Sequence, residues 1–192
     1  MSAARREDYA TGWPTEPPDR AEVRLRHPRN EGEPIDTPRA FIGEHASFYD
    51  EKWRWMEWQG RHTSWNAAAA LALGFWAAFR KLYGVAAGQL AWVALVAAWL
   101  ASGGPWLPLI VVHLVFALLL GWYGNWLYYR HFLHVARRAY AAEATAAGRE
   151  QALRAAGGTS SRAVVALGLA SAAVALAAAL LIGEVLPVEP AA

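Results

Sequence analysis

"SWNAAAALALGFWAAFRKLYG", residues 64–84, decides how this chain is threaded. Its apolar part, Ala67 to Phe79, lies between Asn66 and the pair Arg80-Lys81. Coiled as a helix that part is roughly 20 Å long. A bilayer core is ~30 Å thick, so the segment is short by about a third. The length suits a re-entrant or interfacial helix, with Ser64 placed to cap it. Snorkelling Arg and Lys side chains offer the alternative of a full crossing.

Charge separates the two readings. Of the 18 Lys and Arg residues, ten precede the segment, two end it, six fall in 130–162 and none lies beyond. If the segment crosses, these groups divide between both sides of the membrane. If it enters and turns back, all of them share one side. Basic residues favour the cytoplasmic side, so the second threading is expected. It places the N-terminus in the cytoplasm and the C-terminus outside, periplasmic if the membrane is a bacterial inner membrane.

The rest of the chain supports a membrane reading. Hydrophobic residues make up 56% of the 192, and they are gathered into runs. Val85–Ala101, Trp106–Trp122 and Ala163–Ile182 each reach the length of a spanning helix, the first two with aromatic flanks. "SGGPWLP" at 102–108 supplies the breakers for a tight turn between the first two. The expected fold is an all-α membrane protein with three transmembrane helices, one re-entrant or interfacial helix, and an aromatic amphipathic helix.

The organisation follows from these runs. Residues 1–46 read as a Pro-rich cytoplasmic tail, 47–62 as an aromatic interfacial helix and 64–84 as the re-entrant helix. Residues 85–129 form a helical hairpin of two spans. Residues 130–162 form a basic cytoplasmic helix and linker, and 163–192 the third span with an outer C-terminal segment. In the aromatic helix, Tyr49, Trp53 and Met56 make one stripe, which indoles at headgroup level would favour. Ser47 and Asp50 have the spacing of a capping box. Beyond Tyr129 the helical stripe Phe132, Val135, Ala139 and Ala142 continues towards 156, and Gly157-Gly158 ends it. "TSS" at 159–161 is placed to cap the third span.

Several classes are excluded. No cysteine is present, which removes disulfides and thiolate metal sites. The first thirty residues lack an apolar core, so no cleavable signal is expected. The tail mixes seven Arg with nine acids and has no basic patch, so nucleic acid is not an expected partner.

"FIGEHASFYDEKW" at 41–53, the 64–84 segment and "GWYGNWLYYRHF" at 121–132 together resemble the domain of unknown function 2628 family of small bacterial membrane proteins. The match falls on Phe41, Gly43, Tyr49, Ser64, Asn66, Trp76, Arg80, Lys81, Tyr83, Gly124, Asn125 and Tyr128. Phe79 and Leu82 depart from its pattern, which has Tyr and Met there. It covers about residues 41–135. The resemblance implies a membrane topology and supplies no reaction.

Asn66, Arg80, Lys81 and Asn125 have the makings of a polar latch that satisfies the ends of the short segment. Arg80 and Lys81 alternatively suit an anion or a lipid headgroup. His113 is the ionisable residue well inside a span, and a weak candidate for an axial haem or chlorophyll ligand. His131 and His134 share a face at i, i+3 but lack a third metal ligand. Gly168 and Ala172 offer a small-residue face for helix packing. No nucleophile–base pair, carboxylate pair or phosphate loop is evident, so no enzyme, cofactor or metal is expected. The function expected is an accessory or scaffold subunit of a larger inner-membrane complex, in contact with membrane lipids. The alternative is a small transporter, channel or lipid-interacting protein.

Overall fold

The computed structural model describes residues 37–43 and 45–185. Most of the tail, 1–36, and the outer C-terminal segment beyond 185 lie outside them. The described residues form seven helices and no strand: α1 Thr37–Ile42, α2 Ala46–Gln59, α3 Ala67–Phe79, α4 Tyr83–Ala101, α5 Leu107–Ala142, α6 Ala146–Ala156 and α7 Ser161–Val185. Three of them, α4, α5 and α7, are long and apolar enough to cross a membrane. Leu95, Leu114, Phe116, Leu118, Leu169 and Leu176 all point outward from them. An apolar surface of that extent matches lipid and not water.

The packing is asymmetric. α4 and α7 lie against each other, while α3 sits among α4, α5 and α7 near the start of α4. We call that end the base and the other the turn end. At the turn end, Ser102–Pro105 reverses the chain, with Gly103 at φ +77°. Trp99 folds over the turn, its Nε1 donating to the Pro105 carbonyl at 2.9 Å. α4 and α5 are joined there, yet they approach far less closely than α4 and α7. Trp92 and Phe116 touch edge-on across the gap, 5.5 Å between centroids. The turn-end half of α5 is exposed around most of its circumference.

α3 is a broken helix. Leu73 has φ +47° and ψ −122°, so two half-helices meet at Leu73-Gly74. Both halves press closely on neighbours. A Cβ on Gly74 would lie 2.4 Å from Gln89 Cβ on α4, and one on Gly124 of α5 would lie 2.8 Å from Ala69 Cβ. Glycine at these two positions is what lets the short segment fit between the longer helices.

Four expectations are corrected. First, the tail does not extend to residue 46. Residues 37–42 form α1, and Phe41 and Ile42 are fully buried. Phe41 packs on Tyr128 and Phe132, and its carbonyl accepts from Gly158 N at 2.6 Å. Second, the Tyr49–Trp53–Met56 stripe is core. Trp53 stacks on Phe132 at 5.1 Å and touches Tyr128, so this face of α2 lies on α5. Ser47 lies inside the first turn, preceded by His45 at the N-cap with no side-chain cap, so no capping box forms. Third, the helix after Tyr129 ends at Ala142 and does not run on to 156. The chain breaks at 143–145, and α6 starts afresh with the Thr145 side chain accepting from Gly148 N at 3.1 Å. Arg149 closes the corner by donating to the carbonyls of Glu143 and Ala144. Fourth, Gly168 is half-buried with a Cβ position 3.8 Å from Phe75, but Ala172 is exposed. The less exposed face of α7 is Val164, Leu167, Ser171 and Val174, at helical spacing. The cap of α7 does form as expected, Ser160 Oγ accepting from Ala163 N at 3.2 Å.

Candidate functional site

The polar centre of the base is built around Asn125. Its side chain is fully buried on α5. Residues 62–66, leading into α3, climb along α5 without helical structure of their own. Irregular backbone must find hydrogen-bond partners when buried. Here Ser64 N donates to the Trp122 carbonyl at 3.0 Å and Asn66 N to the Gly121 carbonyl at 2.8 Å. Asn125 Nδ2 donates to Ser64 Oγ at 3.0 Å and reaches the carbonyls of Ser64 and Trp65 at 3.3 and 3.4 Å. Asn66 Nδ2 donates to Asn125 Oδ1 at 2.8 Å. Asn66 Oδ1 in turn accepts from Ala69 N at 3.0 Å. The N-cap of α3 is therefore Asn66 and not Ser64.

Of the four residues expected in a latch, the structure brings two together. Asn66 and Asn125 bond directly, while Arg80 and Lys81 lie elsewhere. Arg80 is 5% exposed, and its guanidinium carbon sits 4.6 Å from the Tyr49 ring centroid and 5.5 Å from that of Tyr128. Its Nε and Nη1 are buried without a hydrogen-bond partner. The aromatic faces take the place of a carboxylate. Lys81 is half-buried, with φ +59°, and its Nζ donates to the Ala155 carbonyl on α6 at 3.1 Å.

Beside Lys81 opens a groove of about 680 Å³ between the start of α4, the far end of α5 and α6. Lys81, His131, His134 and Arg138 line it, with Glu143 as its acid, over a floor that includes Leu82, Val85 and Val135. Burial and the neighbouring His134 push the His131 pKa down from its usual 6.5. His131 Nε2 is buried without a partner.

His113 lies on the exposed turn-end half of α5, with no hydrogen-bond partner among the described residues. No group of three or more His, Cys, Asp or Glu side chains forms a metal-binding cluster among them either.

Trp53, expected at headgroup level, instead donates from Nε1 to the Asn125 carbonyl at 3.2 Å, and the residue the sequence did not single out is Gly121. A Cβ on Gly121 would lie 2.7 Å from the Trp65 ring. The signal available was the run Gly121, Gly124, Asn125, Tyr128, one helical face of small and polar residues inside an aromatic stretch. Comparison with family models, curated proteins and solved structures gives no match.

Proposed function

We propose that the chain is a non-enzymatic accessory or scaffold subunit of a bacterial inner-membrane complex, related to the domain of unknown function 2628 family. One observation carries this reading. A platform of α1, α2, α6 and the last part of α5 is fused, through one continuous helix, to an apolar half-helix that has little cover among the described residues. The platform supplies a rigid contact surface on one side of the membrane. The bare half of α5 supplies a contact inside it.

The proposed threading puts the platform in the cytoplasm and the end of α7 in the periplasm, with α3 re-entrant. Two observations support it. Asn66 and Arg80, at opposite ends of α3, both attach to the Gly121–Tyr128 stretch of α5. The middle of α3 meets Gln89 and Gly168, each about 10 Å along its helix from the base. That is about a third of the bilayer core.

Two experiments test these readings. Extraction in mild detergent should give a species several times larger than the 21.0 kDa chain. A photo-crosslinker at Val111 should join the chain to a fixed protein neighbour. A monodisperse monomer without adducts overturns the scaffold. For the threading, Lys81→Cys should resist an impermeant thiol reagent on intact spheroplasts, while Ser102→Cys reacts. Labelling at position 81 overturns it.

A further inference from the structure

We propose that the groove between the start of α4, the end of α5 and α6 binds the phosphate-bearing headgroup of an anionic phospholipid. The proposal rests on the threading above, in which α4 enters the bilayer at Tyr83. The groove is then open to the headgroup layer at its lower end.

Charge complementarity comes first. Two permanent cations, Lys81 and Arg138, and two imidazoles, His131 and His134, face a space that holds one carboxylate, Glu143. Lys81 Nζ uses one donor on the Ala155 carbonyl, which leaves two. His134 and Arg138 are exposed side chains free to reorient.

The backbone adds to this. α4 begins after Leu82, which has no side chain able to cap it. The amides of Val85 and Ala86 donate to the Leu82 carbonyl, which leaves those of Tyr83 and Gly84, and the helix dipole places positive potential there. A phosphate at that point meets donors and potential together. His131 lines the same groove, and its Nε2 is buried without a hydrogen-bond partner.

The apolar floor selects a lipid over a free anion. Leu82, Val85 and Val135 lie beside the basic groups, and α4 continues from Val85 as an outward-facing apolar helix. A phosphate held above Tyr83 leaves its acyl chains on that surface. Inorganic phosphate would leave the floor uncovered.

The test uses the full chain in detergent micelles, read by native mass spectrometry. It is titrated with dioleoylphosphatidylglycerol, with dioleoylphosphatidylcholine and, separately, with inorganic phosphate. Phosphatidylglycerol should be retained at one copy, in preference to phosphatidylcholine and to inorganic phosphate. Arg138→Gln should weaken its binding about fivefold, the effect of one cation near a lipid surface. Arg137→Gln removes the same charge from an exposed residue outside the groove and should change it less than twofold. Both sites are exposed, and the melting temperature of each variant checks that folding is intact. Equal binding of the two lipids, or equal losses for the two variants, overturns the proposal. Binding of inorganic phosphate as strong as that of phosphatidylglycerol overturns the lipid as the ligand. Micelle binding does not depend on sidedness, so the labelling at position 81 fails or succeeds separately.

Discussion

Asn125→Ala should be among the most destabilising single changes in the chain, and its size can be worked from the contacts. The side chain is fully buried and fills both halves of its hydrogen-bonding capacity. Truncation leaves Asn66 Nδ2 without its acceptor, and Ser64 and Trp65 carbonyls without a donor. A buried group left unmade costs about 1–3 kcal/mol. Within a bilayer the unfolded reference also finds partners, which lowers the net value of a bond to roughly 0.6 kcal/mol on average. The two shortest bonds lost, with Asn66 Nδ2 at 2.8 Å and Ser64 Oγ at 3.0 Å, weighed between those limits give about 2–4 kcal/mol. Asn66→Ala loses the same bond and the α3 cap, the cap being worth about 1 kcal/mol. The two changes share one interaction, so the double variant should fall short of the sum by about 1–2 kcal/mol. Reversible unfolding in detergent, followed by steric trapping, measures all four corners of the cycle. Full additivity, or a loss for Asn125→Ala under about 0.5 kcal/mol, would refute the latch.

Three further outcomes are expected. Gly124→Ala should cost about 1–3 kcal/mol by overpacking against Ala69, and Ala69→Gly in the same chain should recover most of it, read as melting temperature. Lys81→Gly should raise the melting temperature, because Lys81 holds φ +59° and the lysine strain there is about 1 kcal/mol. The same variant should bind phosphatidylglycerol less tightly, which separates the backbone role from the side-chain role. His131 should make the chain less stable in acid. Its folded pKa lies below the unfolded 6.5, so its neutral form is favoured on folding. The stability is intact above about pH 6.5 and falls as the pH drops through that value towards the lower folded pKa. The groups lining the groove with it are Lys81, His134, Arg138 and Glu143. His131→Gln should flatten the melting curve between about pH 5 and 7 relative to the parent chain.

The long apolar runs made α4, α5 and α7 legible, because length and hydropathy are local properties. The shortness of 67–79 was equally plain, and so was the pairing of Asn66 with Asn125, since buried Asn in an apolar stretch must find a partner, whereas Arg80 and Lys81 do not join it. What could not be read were contacts between distant segments. Phe41 sits in a Pro-rich region, and only its packing on Tyr128 and its bond to Gly158 show that α1 belongs to the core. The stripe Tyr49, Trp53 and Met56 has the same pattern whether it faces headgroups or a helix. The apposed Phe132 decides between them. Arg80 reads as part of the latch, or alternatively as an anion-binding group, until Tyr49 and Tyr128 are seen on it. Ala172 takes no part in packing within the chain, because a small-residue stripe does not say which side of a helix is covered by its own neighbours.

The unbroken course of α5 has a mechanical consequence. The helix is clamped by α3 at Gly121–Asn125, with about 21 Å of rod on the turn side and about 26 Å on the platform side. A rod held at one fulcrum turns a push on one arm into an opposite swing of the other. Tilting it by about 10° would carry Leu107 sideways by roughly 4 Å. The α4–α7 pair need not follow, because α5 is only loosely attached to it there. A partner gripping the platform would thereby move the far end of α5 through the lipid.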